Sequence, residues 1–267
     1  MIMWTDVVDL RDFYGSALGQ TARRLIRQRI RELWPNVTGE RVLGLGYATP
    51  YLAPFRDEAE RTLAIMPAQQ GVLHWPPEGP GLVALADEAA LPLPDLSVDR
   101  VLLIHAVEYT EQLRPMLREV WRVLRAGGRV LIVVPNRRGI WARLERTPFG
   151  FGHPYSGGQL SRLLRDTMFT PVRTERALFV PPIRSRMVLA TAQAWEQIGH
   201  RLFQAVAGVV LVEAGKQIYA AGVTAARPLR RIVELPADTT PTPAVGTRAK
   251  LRLIYDAAER RPAHKSS

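Results

Sequence analysis

Residues 113–136, "LRPMLREVWRVLRAGGRVLIVVPN", join a helical pattern directly to a strand pattern. One apolar helix face is predicted by five residues at helical spacing, Leu113, Met116, Leu117, Val120 and Leu124. Gly127 and Gly128 come next and predict the end of this helix. The run "RVLIVV" at 129–134 is apolar at every position after its arginine, which is typical of a strand buried on both faces of a parallel sheet.

Strand-length apolar runs also precede this stretch. They are "RVLGL" (41–45), "RTLAIM" (61–66), "GLVALA" (81–86) and "RVLLIH" (100–105). Strands that alternate with helices predict right-handed strand–helix–strand units and an open α/β sheet. A helix is predicted at 16–34, because its apolar residues recur at helical spacing and its arginines mostly fill the other side.

Further elements are predicted after residue 155. A helix begins with Ser156 and Gln159 in the spacing of a capping box. Strands are expected at 174–182 and 208–220, with a helix at 186–205 between them. One stripe of that helix holds Met187, Thr191, Ala194, Ile198 and Leu202. From residue 222 onward, prolines, the stretch "TTPTPAVGT" and scattered charges predict a basic tail without a core of its own.

The chain has 267 residues and no cysteine. Its length suits one large domain with appendages, and the lack of cysteine excludes disulfides, thiolate zinc sites and cysteine nucleophiles. The histidines do not have the spacing of metal ligands, so no metal site is predicted. The longest apolar run, "AVAGVVLV" at 205–212, is too short to span a bilayer, and the N-terminus lacks the pattern of a signal peptide. We therefore expect a cytoplasmic protein.

The net charge of +11 is concentrated in two places. Five arginines lie on the first predicted helix, Arg23, Arg24, Arg27, Arg29 and Arg31. The tail from Arg227 onward carries nine Lys or Arg and four acids. Basic surfaces of this kind bind nucleic acid, anionic membranes or acidic partners. A solvated helix face and a soluble tail explain the same charges, so both alternatives stay open.

The stretch "VLGLGYATPYL" at 42–52 runs from a predicted strand into a glycine turn and then a helix, which is the form of a nucleotide-binding loop. A dinucleotide site requires glycines in the spacing G-x-G-x-x-G and an acid at the end of the second strand. Thr49 takes the third glycine position here, and the second strand ends in "AIMPA". A nicotinamide enzyme is therefore disfavoured.

Three stretches in this order resemble class I S-adenosylmethionine-dependent methyltransferases of the type 11 family. They are "VLGLGYATPYL", "LADEAALPLPDLSVDRVLLIHAVEY" (85–109) and "LREVWRVLRAGGRVLIVVPN" (117–136). The resemblance implies a Rossmann-like α/β fold, with a mostly parallel seven-stranded sheet, a reversed C-terminal hairpin and an N-terminal helix. It also implies S-adenosylmethionine as the cofactor. We expect an N-terminal helical segment at 1–37, the methyltransferase-like domain at 38–221 and a disordered tail at 222–267.

The resemblance places the cofactor against seven residues, Gly44, Gly46, Tyr47, Met66, Asp87, Glu88 and His105. Relatives carry an acid at the positions of Gly44 and Met66, and the second of these acids takes both ribose hydroxyls. Asp87 matches the acid near the adenine amino group. Losing two charged acceptors, at roughly 1.5–3 kcal/mol each, weakens donor binding by about two to four orders of magnitude. Two functions therefore stay open, a working methyltransferase and a methyltransferase-like, non-catalytic binding or partner subunit.

The substrate is expected outside the carboxyl ends of the strands. The candidate residues are Arg137, Arg138, Trp141, His153 and Tyr155, because cations interleaved with aromatic rings suit an anionic or nucleic-acid substrate. A lid whose aromatic rings pack on the sheet explains the same pattern. His105 at the end of a strand is more often a packed core histidine than a base. Methyl transfer to a good nucleophile can proceed mainly by positioning, so no catalytic residue is named. The predicted partners are RNA or another anionic molecule and, from the resemblance, a small activator protein at the sheet edge.

Overall fold

The computed structural model describes residues 6–217. One sheet contains seven strands: β1 (Arg41–Gly46), β2 (Arg61–Pro67), β3 (Val83–Ala86), β4 (Val98–Ile104), β5 (Leu124–Pro135), β6 (Phe169–Ala177) and β7 (Val209–Lys216). Their order across the sheet is β3-β2-β1-β4-β5-β7-β6. Strands β1 to β5 pair in parallel, whereas β7 is antiparallel to both β5 and β6. The predicted Rossmann-like, mostly parallel sheet with a reversed hairpin is therefore confirmed.

The described residues form seven α-helices around the sheet: α1 (Val7–Gly15), α2 (Ala17–Leu33), α3 (Thr49–Leu52), α4 (Leu113–Val123), α5 (Gly157–Asp166), α6 (Arg186–Ala190) and α7 (Ala192–Leu202). Successive residues of the central strands enter opposite layers of the core. Leu102 and Ile104 pack in the layer that holds α1 and α2, while Val101 and Leu103 pack in the layer that holds α4 and α5. Because helices cover both faces, the strands read as continuous apolar runs.

The helix in the stretch at 113–136 ends earlier than predicted. Helix α4 ends at Val123, and Leu124 is already extended and pairs with Val98 of β4. Gly127, with φ 78°, lies in an irregular part of β5, where the register against β4 shifts. The two glycines therefore lie within β5 and do not end the helix, because the helix already ends where Leu124 pairs with Val98 of β4.

The C-terminal elements are shifted or divided relative to the prediction. Strand β6 begins at Phe169, before the predicted 174–182, and ends at Ala177. It ends there because the amides of Leu178 and Phe179 donate to the carboxylate of Glu196, each at 2.9 Å. The helix predicted at 186–205 is two helices, α6 and α7, which are separated at Thr191. The capping box at Ser156 and Gln159 is confirmed.

Two properties of the described part of the chain bear on function. Among residues 6–217, no helix is long and apolar enough to cross a bilayer, and no three metal-ligating side chains of the usual types cluster. The predicted tail at 222–267 and residues 218–220 of the predicted last strand lie outside the described residues.

Candidate functional site

The carboxyl ends of β1 and β4 lie side by side and form the centre of the candidate site. Gly46 ends β1 with φ 83°, and a Cβ atom there would lie 2.4 Å from the carbonyl oxygen of Ile104. A Cβ at Gly44 would lie 2.6 Å from the side chain of Leu52. Gly46 is required by this packing, because its positive φ and the nearby backbone oxygen leave no room for a side chain, whereas a side chain at Gly44 would require Leu52 and Ala48 to shift.

His105 follows β4 directly and is buried within this centre. Its φ of 52° is unusual for a residue with a side chain, and such conformations concentrate at functional positions. The Nδ1 atom of His105 lies 3.1 Å from Oε1 of Glu108, and its Nε2 atom lies 2.7 Å from the hydroxyl of Tyr14. Tyr51 in turn donates to the Tyr14 hydroxyl at 2.9 Å. We call this set of four residues the histidine chain.

The tyrosines fix the protons of the histidine chain. Burial, and after it the neighbouring Tyr51, raises the pKa of Tyr14 well above its ordinary value, and burial also raises the pKa of Tyr51. Both hydroxyls are therefore protonated at neutral pH, and Tyr14, which already accepts from Tyr51, donates to Nε2 of His105. The carboxylate of Glu108 accepts the Nδ1–H of the imidazole. These contacts suit the tautomer of His105 that carries a proton on Nδ1, an assignment made from hydrogen-bond geometry.

Helix α1 covers the glycine turn and the histidine chain. Its first residue, Val7, donates its amide to the carbonyl of Gln70 at 2.8 Å, and near its end the Tyr14 ring stacks on Tyr47 with centroids 5.7 Å apart. The side-chain amide of Gln70 donates to the His105 carbonyl at 3.0 Å. Burial raises the pKa of Tyr47 to about 12. Because α1 is fastened at both of these points, the end of β1 is closed to solvent.

A cavity of about 30 Å³ remains beside His105. Its lining includes Gln70, Glu88, Tyr109 and Thr110. Two side-chain oxygens near His105, Oε1 of Gln70 and Oε2 of Glu108, are buried and have no hydrogen-bond partner among the described residues. A buried acceptor without a donor costs about 1–3 kcal/mol, so these oxygens indicate a place where a ligand with N–H or O–H groups would be stabilised.

The residues predicted to hold the cofactor lie at different depths around this cavity. Glu88 is buried in the lining and accepts a hydrogen bond from Thr110 at 3.0 Å. Asp87 is exposed, and its carboxylate accepts from the amide of Ala89 at 2.8 Å. Met66 is completely buried in the core layer that contains α1. The structure therefore brings Glu88 and His105 together at the cavity, but neither Asp87 nor Met66 lines it.

The residues predicted on the substrate side are also divided. Trp141 is a core residue whose indole N–H donates to the carbonyl of Val180 at 2.8 Å, so the prediction that it contacts substrate conflicts with this conformation. Arg137, Arg138 and His153 are exposed. Tyr155 is half-buried and forms a bridge with Asn136 after β5. None of the five predicted residues lines the cavity beside His105.

A much larger groove lies between α2, α3 and α6. Its volume is about 840 Å³, and five arginines line it, Arg23, Arg24, Arg27, Arg31 and Arg186. Its apolar lining includes Ile30, Phe55 and Leu189, and Tyr51 connects it to the histidine chain. Burial and the neighbouring arginines lower the pKa of Arg27. Within the described residues, Arg31 pairs with Glu58, while Arg23, Arg24, Arg27 and Arg186 form no ion pair. We call this feature the arginine groove.

Four residues of the site were not singled out from the sequence. Glu108 was within reach, because it follows His105 by three residues at the end of a predicted strand. Tyr14, Tyr51 and Gln70 could not be found from local patterns, because each reaches His105 from a distant part of the chain.

Comparison with known proteins supports the resemblance seen in the sequence. Residues 42–132 match the family described as a methyltransferase domain. No curated protein matches the chain. Among solved structures, a SAM-dependent methyltransferase from Thermotoga maritima is similar with a TM-score of 0.55 and 16% identity, over 79% of this chain and 96% of that one. A SAM-dependent methyltransferase from Mesorhizobium loti has a TM-score of 0.51 and 17% identity, over 76% and 100%.

A third structure contains a methyltransferase bound to the Trm112 methyltransferase activator of Haloferax volcanii. Its TM-score is 0.53 and its identity 17%, over 73% of this chain and 90% of that one. These likenesses confirm the class I methyltransferase fold. Together with the domain match, they confirm the resemblance to class I S-adenosylmethionine-dependent methyltransferases, and S-adenosylmethionine is the cofactor that this resemblance implies.

The chemistry of the site fits this cofactor, but the volume of the cavity does not. The donor carries an ammonium and a ribose diol, and the unpartnered oxygens of Gln70 and Glu108 are acceptors that suit such groups. Ligand sites of this kind have volumes of about 300–1,000 Å³, whereas the cavity beside His105 has about 30 Å³. The conformation with α1 closed over the glycine turn therefore excludes a ligand of this size.

Proposed function

We propose that this chain is an S-adenosylmethionine-dependent methyltransferase whose donor site opens when α1 is displaced, and in which His105 accepts a proton from the methyl acceptor. The observation that carries the proposal is the position of His105, at the carboxyl end of β4 beside the glycine turn, with its Nδ1 held by Glu108. In parallel α/β sheets, ligands bind at this edge.

The histidine chain gives His105 a defined direction for proton transfer. Glu108 holds the Nδ1–H, so the free electron pair is on Nε2, which Tyr14 now covers. When α1 is displaced, Tyr14 leaves and Nε2 can accept a proton from a nucleophile, while the Glu108 carboxylate stabilises the resulting imidazolium. The bound donor supplies the electrophilic methyl group, and positioning of the acceptor supplies much of the rate.

Four groups would hold the donor in the open state. Glu88 and Gln70 line the cavity, and Glu108, which contacts Nδ1 of His105, presents a further buried oxygen. The turn at Gly46 packs against the backbone of Ile104 and His105. The acids that relatives carry at the positions of Gly44 and Met66 are absent, so we expect weak affinity. A dissociation constant for S-adenosylhomocysteine of tens to hundreds of micromolar is the order of magnitude that these remaining contacts support.

An engineered disulfide can test whether α1 is the lid. The Cβ atom of Val7 lies 4.0 Å from the position that a Cβ at Gly71 would take, which is within the usual range of a disulfide, about 3.5–4.5 Å. The variant Val7→Cys/Gly71→Cys can be oxidised cleanly, because the chain has no other cysteine. Titration calorimetry with S-adenosylhomocysteine should detect binding to the reduced variant and none to the oxidised one.

Two single variants, Val7→Cys and Gly71→Cys, are the controls for strain, since Gly71 has φ 84°. Equal binding by the oxidised and reduced forms would show that α1 does not cover the donor site. If the wild-type chain gives neither heat nor a thermal shift up to millimolar ligand, the methyltransferase proposal fails, and a non-catalytic partner subunit becomes the better reading.

For the methyl acceptor, we propose an anionic molecule that binds in the arginine groove. Four of the arginines around the apolar lining of the groove form no ion pair within residues 6–217. Tyr51 belongs to both the groove and the histidine chain. RNA is one anionic candidate, and its affinity should then fall steeply with salt, because phosphate contacts release counterions. Substitution Arg27→Gln, compared with Arg118→Gln on α4 outside the groove, separates this site from general charge attraction.

The remaining proposals concern partners and location. An activator protein would pair with β3, which is one of the two edge strands of the sheet within the described residues and exposes Ala84 and Leu85. Arg137, Arg138, His153 and Tyr155 remain proposed contacts for the substrate after β5. We also propose a cytoplasmic location, which imaging of the tagged chain would test.

A further inference from the structure

The stripe predicted on the helix at 186–205 faces solvent. All five of its members, Met187, Thr191, Ala194, Ile198 and Leu202, are exposed. Met187 and Leu202 are 79% and 72% exposed, which is unusual for large apolar side chains. Trp195, Phe203 and Ile183 are also exposed beside this stripe. We call this set of apolar residues on α6, α7 and their flanks the outer stripe.

The inner face of α7 explains why the stripe is turned outward. Ala192, Glu196 and Gly199 are the buried residues of this helix. The Glu196 carboxylate accepts the amides of Leu178 and Phe179, and a Cβ at Gly199 would lie 2.4 Å from the Phe179 side chain. A polar anchor and a close helix contact therefore fix the rotation of α7, so that its large apolar residues remain on the surface.

The exposed charges on the segment that carries the outer stripe are positive, and Glu175 of the neighbouring β6 is a half-buried acid 3.6 Å from His200 of α7. In the segment 181–207, the exposed charged residues are Arg184, Arg186 and Arg201, while the one acid, Glu196, is buried. Arg186 also lines the arginine groove, whose arginines on α2 extend the same positive surface. Exposed apolar side chains accompanied by arginines are complementary to an anionic, apolar partner.

We propose that the outer stripe binds the surface of an anionic lipid bilayer. Helices that lie in the headgroup region of a bilayer have this composition: exposed Leu, Ile, Met and Phe with a tryptophan on one side, and arginines along the border. The apolar side chains would enter the acyl boundary, and the arginines would contact lipid phosphates. This binding is peripheral and is independent of the proposed methyl transfer.

Sedimentation of the full chain with lipid vesicles tests the proposal. We expect the chain to bind vesicles of phosphatidylcholine with phosphatidylglycerol, and to bind vesicles of phosphatidylcholine alone much more weakly. The variant Ile198→Ser/Leu202→Ser keeps the charge of the chain and should lower the partition coefficient about tenfold or more, because it removes apolar area from the contact. Circular dichroism would confirm that this variant is folded.

The control is Leu85→Ser. Leu85 is 49% exposed, close to the 51% exposure of Ile198. It lies on β3, an edge strand of the sheet, and is not part of the outer stripe. This variant should bind vesicles like the wild type. In a second measurement, brominated acyl chains should quench tryptophan emission in the wild type, and the effect should be lost in Trp195→Phe.

Three outcomes would overturn the proposal. If the double serine variant binds as well as the wild type, charge alone attracts the chain to the vesicles and the outer stripe is not the contact. If the wild type binds no vesicles, the stripe has another occupant. If gel filtration shows a dimer that the double serine variant lacks, that occupant is a second copy of the chain.

Discussion

Replacing Tyr14 by Phe should open the donor site without removing an aromatic ring from the core. The hydroxyl of Tyr14 donates to Nε2 of His105 at 2.7 Å and accepts from Tyr51 at 2.9 Å, and all three side chains are buried. In Tyr14→Phe, the closed state leaves the Tyr51 hydroxyl and the His105 nitrogen without partners. Each buried unpaired group costs about 1–3 kcal/mol, so the closed state loses about 2 kcal/mol after partial relaxation.

This loss can be converted into an expected affinity. In the open state, water forms hydrogen bonds with the Tyr51 hydroxyl and the His105 nitrogen. The variant therefore shifts the equilibrium from closed toward open α1 by the same free energy of about 2 kcal/mol, which is about 30-fold. If the donor binds only the open state, the apparent affinity for S-adenosylhomocysteine rises by up to about 30-fold. Titration calorimetry measures this change directly. The same substitution should lower the melting temperature by about 4–8 °C.

Tyr47→Phe is the matched control. Tyr47 lies in the same aromatic cluster and stacks on Tyr14, but its hydroxyl is not part of the histidine chain. It should change the affinity little. A Tyr14→Phe chain that melts earlier but binds S-adenosylhomocysteine no more tightly than the wild type would refute the view that α1 is the lid. An equal gain in Tyr47→Phe would show that general loosening of the cluster is responsible.

Three other substitutions test the packing and charges that hold the site. Met66→Asp should lower the free energy of unfolding by about 3 kcal/mol or more, as measured by urea titration, because it places a carboxylate at a completely buried position. A folded variant that binds the donor more tightly would contradict this expectation. Asp99→Asn should cost about 1–2 kcal/mol at pH 7. Burial alone would raise the pKa of Asp99, but hydrogen bonds from Arg41 and Arg125 hold this pKa below its usual value. The stabilisation by the Asp99 carboxylate is therefore present at neutral pH and is lost as the pH falls through the folded-state pKa. The difference in unfolding free energy between wild type and Asp99→Asn should disappear below about pH 4. Gly199→Ala should destabilise the chain by about 1–3 kcal/mol in the same assay, whereas Gly158→Ala, where a Cβ meets no atom within 4 Å, should not.

The sheet and much of its helical cover could be predicted from the sequence, because their patterns are local. The five runs from "RVLGL" to "RVLIVV" each overlap a strand of the structure, although Gly81 and Leu82 precede β3 and His105 follows β4. Burial on both faces of the central strands demands apolar residues at successive positions. The capping box at Ser156 was likewise readable, because both of its hydrogen bonds span three residues. The same local logic placed the end of α4 too late, since Leu124 fits both the helical stripe and the strand.

The environment of His105 was decided by the tertiary structure alone. Its position at the end of a strand could be predicted from the sequence, which favoured a packed core histidine over a base without excluding the base. Tyr14 comes from a helix 91 residues earlier, and Gln70 from a loop 35 residues earlier. Hydrogen bonds between such distant positions leave no periodic trace, because each residue fits its own local element equally well without them.

The helix stripe at 187–202 shows the same division most clearly. Periodicity predicted that Ala194, Ile198 and Leu202 share one helix face, because helical spacing depends only on backbone geometry, but it missed the break at Thr191 that puts Met187 on a separate helix. It could not show which way that face points, because the rotation of α7 is set by contacts of Glu196 and Gly199 with residues 178 and 179. The sequence by itself therefore determined the elements and their faces, while packing between distant segments decided which faces became core, closed site and exposed surface.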